Sequence, residues 1–324
     1  MPTQLRVACV QLESDNGQVE ANLARATPLV IEAATRGAKL ILCPEFLAAG
    51  YIYDESIWES GEPQGGPTES WLIQQASAND AYVGASYLEA DGEDFWNTFS
   101  LAGPDGTIVG RVRKESLPAF EGWYFKSCDK PKVMNTEIGR IAVGICQDNH
   151  TARFMRRLCN TDFDLIVMPH SSPCLPVRSF SRQMEENLTE IVPFYARAFG
   201  VPVLFVNKVG PGGSSPIPIV PGLRLRFDFR GHASIYDGDG SMCEQLGNAP
   251  GVAVANVTLD PARKKRPTPV RGYWSRKPTS LGWIGGATFT ALEWVAKRVY
   301  ARNPRRRQAA LRIGREAAGF PETK

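Results

Sequence analysis

Histidine is scarce in this sequence, whose 324 residues include three histidines: His150, His170 and His232. A zinc centre with several histidine ligands is therefore not expected, and no Cys-x-x-Cys pair supplies thiolate ligands instead. The number of histidines does not exclude a Cys-His protease site, but the Cys-Trp sequence expected of such a site does not accompany Cys146. Seven cysteines without regular spacing also argue against a disulfide framework. The sequence therefore predicts no metal site and a reducing, cytoplasmic setting.

Long hydrophobic runs are absent. No stretch of about 18 apolar residues occurs, so the sequence predicts no membrane-spanning helix. The N-terminal residues MPTQLRVACVQL lead almost directly into a strand and lack a signal-peptide pattern. The composition, 43% hydrophobic and 22% charged, is that of a globular protein with enough apolar residues for a large core.

Acidic residues are nearly absent from the C-terminal segment. Residues 262–324 contain sixteen Lys or Arg and three Glu, whereas the preceding residues contain 21 basic and 31 acidic groups. A basic segment of this kind can bind nucleic acid, lie on a membrane surface, or pack on an acidic protein surface. No nucleic-acid-binding fold or stacking pattern accompanies the charge, so we expect neither nucleic acid nor membrane as a partner. We predict that the segment is an extension that packs on a partner subunit of a homodimer or higher homo-oligomer.

Apolar strands alternate with helices along residues 1–261, which we predict to form the main domain. Strands are predicted at residues 5–12, 39–46, 140–146, 163–170 and 201–210, and helices at residues 19–36 and 182–200. A hairpin is predicted at residues 95–114, and its second strand ends at Lys114. Residues 210–223 are rich in Gly, Pro and Ser and predict a loop. Because the strands are apolar throughout, both faces of their sheet should be covered. The pattern therefore predicts a layered α/β fold with a mixed sheet and active residues at the carboxyl ends of the strands.

Three predicted strands end in chemically reactive side chains: Glu45, Lys114 and Cys146. Each alone has an ordinary interpretation, as a neighbour of a helix cap, a surface lysine or a small buried hydrophobe. Together they supply a base that can deprotonate a thiol, an ammonium that can hold an oxyanion, and a nucleophile. The set therefore predicts covalent catalysis at a carbonyl carbon.

The same segments resemble the nitrilase superfamily of carbon–nitrogen hydrolases, in its amidase-like branch. The matching sequences are CPEF with Glu45, VRKESL with Lys114, GICQDN with Cys146, RAFGVPVLFVNKVG, and FRGHASIYDGDGSMCEQL. The resemblance spans roughly residues 5–260. It implies a four-layer α-β-β-α sandwich with mixed sheets, extended across a dimer interface. It also implies that Glu45 is the general base and acid, Lys114 the oxyanion holder and Cys146 the nucleophile, without a metal or organic cofactor.

Further site residues are expected from the resemblance and from position. Glu121 lies in FEGWYF, which resembles the EGWY sequence of family amidases, where a second glutamate orients the substrate and the lysine; otherwise it is a loop glutamate. The backbone N–H of Gln147 is expected as a second oxyanion donor. We predict substrate contacts for Tyr51, Trp123 and His170, although core packing is the alternative for each.

The sequence that follows Cys146 differs from that of many family members. Asp148 fits the family pattern and is expected to brace the turn by hydrogen bonds, but Ala152 and Arg153 stand where many members have Pro-Glu. The substrate-facing surroundings should therefore differ from those of such members.

The predicted activity is hydrolysis of a non-peptide carbon–nitrogen bond in a small amide through a cysteine thioester, with release of an acid and ammonia or an amine. A true nitrilase and an N-carbamoyl amidohydrolase use the same residues and are the alternatives. A non-catalytic interaction protein on this fold would have no need of all three reactive residues.

Overall fold

The computed structural model describes residues 1–118, 121–174, 178–216, 222–268, 274–276, 279–280 and 282–319. Its strands, in chain order, are β1 (Thr3–Gln11), β2 (Leu40–Leu42), β3 (Tyr82–Asp91), β4 (Asp94–Ala102), β5 (Ile108–Arg113), β6 (Val133–Thr136), β7 (Gly139–Val143), β8 (Leu165–Pro169), β9 (Pro173–Cys174), β10 (Val203–Val206), β11 (Val209–Pro216), β12 (Arg224–Arg230), β13 (Ser234–Tyr236), β14 (Met242–Gln245), β15 (Gly251–Leu259), β16 (Trp274–Arg276) and β17 (Thr279–Ser280). Its α-helices are α1 (Val19–Thr35), α2 (Pro67–Asn79), α3 (Ala152–Cys159), α4 (Arg178–Phe199), α5 (Gly282–Arg302) and α6 (Pro304–Ala317).

Two six-stranded sheets form the centre of the fold. Their strand orders are β15-β1-β2-β3-β4-β5 and β14-β13-β10-β8-β7-β6. In the first sheet β1, β2 and β3 are parallel, and in the second sheet β7, β8 and β10 are parallel. The outer strands pair antiparallel in both sheets. The mixed α/β architecture predicted from the sequence is therefore confirmed.

The two sheets pack face to face, and helices cover their outer faces. Residues such as Val7, Leu42 and Val167 fill the space between the sheets. The helices α1 and α2 cover the first sheet, where Val30 packs in one apolar cluster with strand residues. The helices α3 and α4 cover the second sheet, where Phe154 occupies the equivalent cluster. The central strands β2, β8 and β10 are covered on both faces, so their sequences are apolar throughout. Burial of each large aliphatic side chain there contributes about 1.5–3 kcal/mol.

A third, three-stranded sheet includes residues that the sequence predicted to form a loop. Its strand order is β11-β12-β9, and β11 begins at Val209 and ends at Pro216. The predicted loop over residues 210–223 was therefore wrong for its first half, while residues 217–221 lie outside the described residues. Glycine and proline disfavour strands locally, but pairing with β12 overrides that preference and places an irregularity between Pro211 and Gly213.

The basic C-terminal extension packs on its own chain. Arg306 of α6 is buried and donates a hydrogen bond to Asp94 at 2.6 Å, and the Tyr300 hydroxyl accepts one from the Phe95 backbone N–H at 2.9 Å. Ile313 joins the apolar cluster that contains Phe95. Contact with a partner subunit stays a prediction, as does the division into residues 1–261 and 262–324. In the described part of the chain, we find no helix long and apolar enough to cross a membrane.

Candidate active site

The strand ends that carry the predicted catalytic residues meet at one edge of the two sheets. Glu45 follows β2, Lys114 follows β5, and Cys146 lies three residues beyond the end of β7. A hydrogen bond of 2.8 Å from the Ser171 backbone N–H to Glu45 Oε2 joins the end of β8 to the first sheet. All of these groups are buried. The site therefore lies where the rule for α/β sheets expects it.

Lys114 lies between two carboxylates. Its Nζ atom donates to Glu45 Oε1 at 2.8 Å and to Glu121 Oε2 and Oε1 at 2.7 and 3.0 Å. All three side chains are fully buried. Removing an ammonium from water costs several kcal/mol unless opposite charges and hydrogen bonds compensate for it, and here both carboxylates do so. The arrangement holds a positive charge in a dry site, where it can stabilise a developing oxyanion.

Burial and charge shift the pKa values of this cluster. Burial would lower the pKa of Lys114, but Glu121 and Glu45 outweigh it and keep that pKa well above its usual value. Burial raises the pKa of Glu121 to about 7, against the attraction of Lys114. Burial, together with repulsion from Glu45, also raises the pKa of the Cys146 thiol well above its usual value. Cys146 therefore rests as a thiol and needs a base.

Glu45 is fixed by neutral donors as well as by Lys114. Asn97 Nδ2 donates to Glu45 Oε1 at 2.7 Å, in addition to the Ser171 N–H on Oε2. The next residue, Phe46, has a left-handed backbone with φ +48°, and Lys208 Nζ donates to its carbonyl at 2.7 Å. A non-glycine residue in this region carries strain that its surroundings must support. These contacts hold the Glu45 carboxylate in one orientation.

Cys146 opens a 3₁₀ turn, Cys146–His150, with a left-handed backbone at φ +48°. This sharp strand-to-turn transition lifts the side chain out of the sheet edge, as nucleophile turns of other hydrolases do. Gly144 makes the turn possible, since a Cβ atom there would lie 2.0 Å from Asn149 Oδ1. Gln147 is the second residue of the turn, and N–H groups in the first turn of a helix lack intrahelical partners.

The remaining predicted residues lie at or beside this cluster. The Tyr51 hydroxyl donates to Glu121 Oε1 at 2.8 Å and shares a hydrogen bond with the hydroxyl of Tyr53. Trp123 is half-buried against the aromatic cluster that includes Tyr51. His170 is fully buried, and both of its ring nitrogens have protein partners. The substrate contacts proposed for Tyr51, Trp123 and His170 stay predictions.

Sequence reasoning missed several polar residues of the site. Ser171 and Ser172 follow β8, and Lys208 closely follows β10, so the same strand-end rule that selected Cys146 could have found them. Asn97 lies in the middle of β4 and gave no such signal. Within the residues that the structure describes, no group of three or more His, Cys, Asp or Glu side chains is arranged to hold a metal ion.

Comparison with known proteins identifies the family. The sequence model of the carbon–nitrogen hydrolases matches residues 6–267. The chain is 28% identical over 191 residues to a nitrilase of Pyrococcus abyssi, covering 56% of this chain and 72% of that protein. It is 27% identical over 216 residues to a citrullinase of Francisella tularensis, covering 63% and 74%. The crystal structure of a carbon–nitrogen hydrolase from Helicobacter pylori G27 shares the fold, with a TM-score of 0.68 at 18% identity over 79% of this chain and 90% of that one. With a family match over most of its length, the chain belongs to the carbon–nitrogen hydrolases and is an enzyme of that family.

Proposed function

We propose that the protein hydrolyses a small non-peptide amide through a thioester on Cys146, with release of an acid and ammonia or an amine. One observation carries the proposal. The Lys114 ammonium is held between Glu45 and Glu121 within 3.0 Å, in a buried site whose charges act on the Cys146 thiol. A base, an oxyanion-binding cation and a nucleophile are the groups that acyl transfer needs.

In the first step Glu45 removes the proton from Cys146, because the raised thiol pKa leaves little thiolate at neutral pH. The sulfur then bonds to the carbonyl carbon, and the carbonyl π electrons move to oxygen. Lys114 and the Gln147 backbone N–H hold the resulting oxyanion. Glu121 keeps the ammonium in place at 2.7 Å from its carboxylate, so its role is to position Lys114.

In the second step the protonated Glu45 gives its proton to the departing nitrogen, and the carbon–nitrogen bond breaks to leave the thioester. Water then attacks the thioester carbon while Glu45 accepts the proton of the water. The carbon–sulfur bond breaks, the acid departs, and the proton returns to Cys146. Glu45 thus serves as base and acid in both halves of the cycle, and every proton is accounted for without a cofactor.

The choice of an amide over a nitrile rests on the EGWY sequence around Glu121, which resembles that of family amidases, because a true nitrilase would use the same Glu45, Lys114 and Cys146. Addition to an amide carbonyl places negative charge on oxygen, which a fixed ammonium and an N–H group stabilise directly. Addition to a nitrile places charge on a nitrogen that must be protonated. A true nitrilase is the second candidate, favoured by the similarity to the Pyrococcus abyssi nitrilase. N-carbamoyl hydrolysis is the third, favoured by the similarity to a citrullinase.

We also propose that the enzyme works in the cytoplasm as a homo-oligomer. The odd, unpaired set of cysteines supports the reducing compartment. Exposed apolar side chains on the C-terminal extension, Trp294, Val295 and Val299, support an interface with a second subunit.

The deciding experiment measures ammonia release from matched sets of small amides, nitriles and N-carbamoyl compounds. We expect a higher kcat/KM for at least one amide than for its matching nitrile, with an acyl adduct on Cys146 visible by intact-protein mass spectrometry. The Cys146→Ala variant should lose turnover and adduct, while a control at the exposed Cys243, Cys243→Ala, should keep both. Full activity in Cys146→Ala would overturn the mechanism, and a consistent preference for nitriles would reverse the substrate class.

A further inference from the structure

A chain of buried polar groups leads from the Cys146 turn back to its sulfur. Asn149 Nδ2 lies 2.7 Å from the Gly144 carbonyl oxygen and 2.9 Å from His170 Nε2. His170 Nδ1 lies 2.8 Å from Ser172 Oγ, and Ser172 Oγ lies 4.0 Å from Cys146 Sγ. The proposed mechanism uses none of the three side chains between the turn and the sulfur.

In this series of hydrogen bonds, the atoms involved decide which group donates and which accepts. A carbonyl oxygen accepts, so the Asn149 atom facing Gly144 is the amide nitrogen, and its second hydrogen points to His170 Nε2. Nε2 must then be unprotonated, and the ring proton sits on Nδ1, where it is donated to Ser172. The Ser172 hydroxyl, having accepted that bond, has its own proton to donate to the sulfur of Cys146.

The surroundings of His170 keep the ring neutral. Burial, followed by the charges of His150 and Lys114, lowers its pKa well below the usual value. A proton on Nε2 would also face the amide hydrogen of Asn149. His170 therefore keeps Nδ1 as a donor and Nε2 as an acceptor through the working pH range, so the direction of these hydrogen bonds does not reverse.

The Cys146 thiolate needs such a donor. Burial disfavours the charged sulfur, and Glu45 and Glu121 repel it, while Lys114 and the nearby Ser171 backbone N–H favour it. Lys114 must also stabilise the oxyanion once the sulfur attacks. A hydroxyl donor on the sulfur stabilises the thiolate before attack and again when the thioester breaks, because hydrogen bonds to ionised groups are stronger than those between neutral groups.

We propose that Ser172 is a further catalytic residue, which donates a hydrogen bond to the Cys146 thiolate, and that His170 and Asn149 are positioning residues that orient the Ser172 hydroxyl. This inference rests on the proposed role of Cys146 as nucleophile. It assigns to His170 an action through Ser172 in place of direct contact with substrate. The Ser172 backbone is itself held by a hydrogen bond of 3.0 Å to Asn207 Oδ1, which fixes the hydroxyl beside the sulfur.

The test follows the reactivity of Cys146 against pH, using methyl methanethiosulfonate as a small neutral thiol reagent that is not an amide. Modification is quantified by mass spectrometry of the peptide that carries Cys146, with Cys243 as the internal reference. We expect the midpoint of the rate profile to rise by about one pH unit in Ser172→Ala, so that modification at a fixed pH below it slows about tenfold. The Ser172→Thr variant keeps the hydroxyl and should restore the wild-type midpoint.

A second pair of variants tests the orientation by His170. In His170→Asn the amide nitrogen can replace Nδ1 as the donor to Ser172, whereas His170→Leu removes the donor. We expect the midpoint to shift in His170→Leu and to stay near the wild-type value in His170→Asn, with melting temperatures showing that both variants fold. A merely structural role would change the melting temperature and leave the midpoint of folded protein unchanged.

The outcomes separate this inference from the proposed function. An unchanged midpoint in Ser172→Ala, with turnover still dependent on Cys146, would overturn the role of Ser172 and leave the nucleophile in place. Equal midpoints in His170→Leu and wild type would overturn the role of His170. Turnover that persists in Cys146→Ala would overturn the proposed function, whatever the Ser172 variants do.

Discussion

Asp148 Oδ1 accepts a hydrogen bond of 2.7 Å from the backbone N–H of Ser116. The same carboxylate accepts from the Glu115 N–H at 3.2 Å and from the Ile145 N–H at 3.3 Å. The turn that carries Cys146 is thereby tied to the two residues that follow Lys114. One carboxylate fixes the distance between the proposed nucleophile and the proposed oxyanion holder, which come from different sheets.

Because Asp148 joins these two segments, we predict that Asp148→Asn lowers turnover strongly and thermal stability only slightly. The amide keeps the size of the side chain, but its nitrogen cannot accept from backbone N–H groups. We expect kcat/KM to fall at least about tenfold, since small misplacements of reacting groups are costly, while the melting temperature falls by a few degrees. Steady-state kinetics and thermal unfolding would check this, and full activity would show that the bridge does not position the site.

The polar groups at the strand ends make different contributions. Replacing Glu45 by Gln removes the base, and replacing Lys114 by Ala removes a donor to the oxyanion, so each should lower kcat on the order of a hundredfold or more. A matched control is Lys39→Ala, which removes an exposed lysine paired with Asp80 at 2.6 Å. It should leave kcat unchanged. Wild-type kcat in Glu45→Gln would exclude that residue as the base.

Position at the end of a predicted strand selected three residues of the candidate site from the sequence. The strand-end rule selected Glu45, Lys114 and Cys146, since a reactive side chain after a buried strand is unusual. The same rule extends to Ser172, which closely follows β8, and to Lys208, which closely follows β10, but it does not show that both are buried. Neither burial nor hydrogen-bond partners can be derived from one sequence, since both depend on which distant segments meet.

The same limit applied to the fold. Apolar periodicity predicted the α1 helix at residues 19–36, close to its observed bounds Val19–Thr35, even though Pro28 lies within it. The loop predicted from the glycine, proline and serine content of residues 210–223 was wrong at residues 210–216, where a strand forms because β12 supplies its partner. Local propensity decides an element only where tertiary pairing does not oppose it.

The raised pKa of Glu121, about 7, predicts a pH effect on turnover. Lys114 is held in place by ionised Glu121, so activity should rise as pH increases through about 7 and this carboxylate loses its proton. The profile of kcat/KM against pH should therefore have a rising limb near pH 7. In Glu121→Gln this limb should disappear, and the rate should fall. Because Lys208 has a pKa lowered to about 7, the same profile should be measured in Lys208→Met. Disappearance of the limb in Lys208→Met but not in Glu121→Gln would assign it to the lysine.

Lys208 also predicts a pH dependence of stability. Burial lowers its pKa from 10.5 to about 7, although Glu45 acts in the opposite direction. Between pH 7 and 10.5 Lys208 therefore binds more protons in the unfolded chain than in the folded chain, so its contribution to the free energy of unfolding should rise with pH. The slope from this one group is at most about 1.4 kcal/mol per pH unit.

Lys208→Met removes this contribution, because methionine fills a similar volume without a charge. We expect the free energy of unfolding of the variant to exceed that of the wild type by the largest amount near pH 7. This difference should shrink as pH approaches 10. Urea unfolding of both proteins at several pH values would measure the difference. Parallel stability curves for the two proteins across this range would show that Lys208 does not titrate in the folded state.

The last prediction concerns subunit association. Truncating the extension would remove the buried Arg306–Asp94 pair within the chain, so loss of stability in a truncated protein would not reveal an interface. A substitution on the exposed face separates the two effects. Trp294 is 58% exposed on α5, and Trp294→Glu should leave the contacts of α6 intact while it introduces a charge into the proposed subunit interface.

We expect Trp294→Glu to lower the mass of the assembly measured by analytical ultracentrifugation, with little change in the melting temperature of the monomer. The control is Ile31→Glu, which places the same charge on α1 at a residue that is 47% exposed. Because the extension is basic and the rest of the chain acidic, wild-type association should also weaken as salt rises and exposed charges are screened over a Debye length of about 10 Å at 0.1 M. An assembly mass that responds equally to both substitutions, or to neither, would place the subunit contact elsewhere on the molecule.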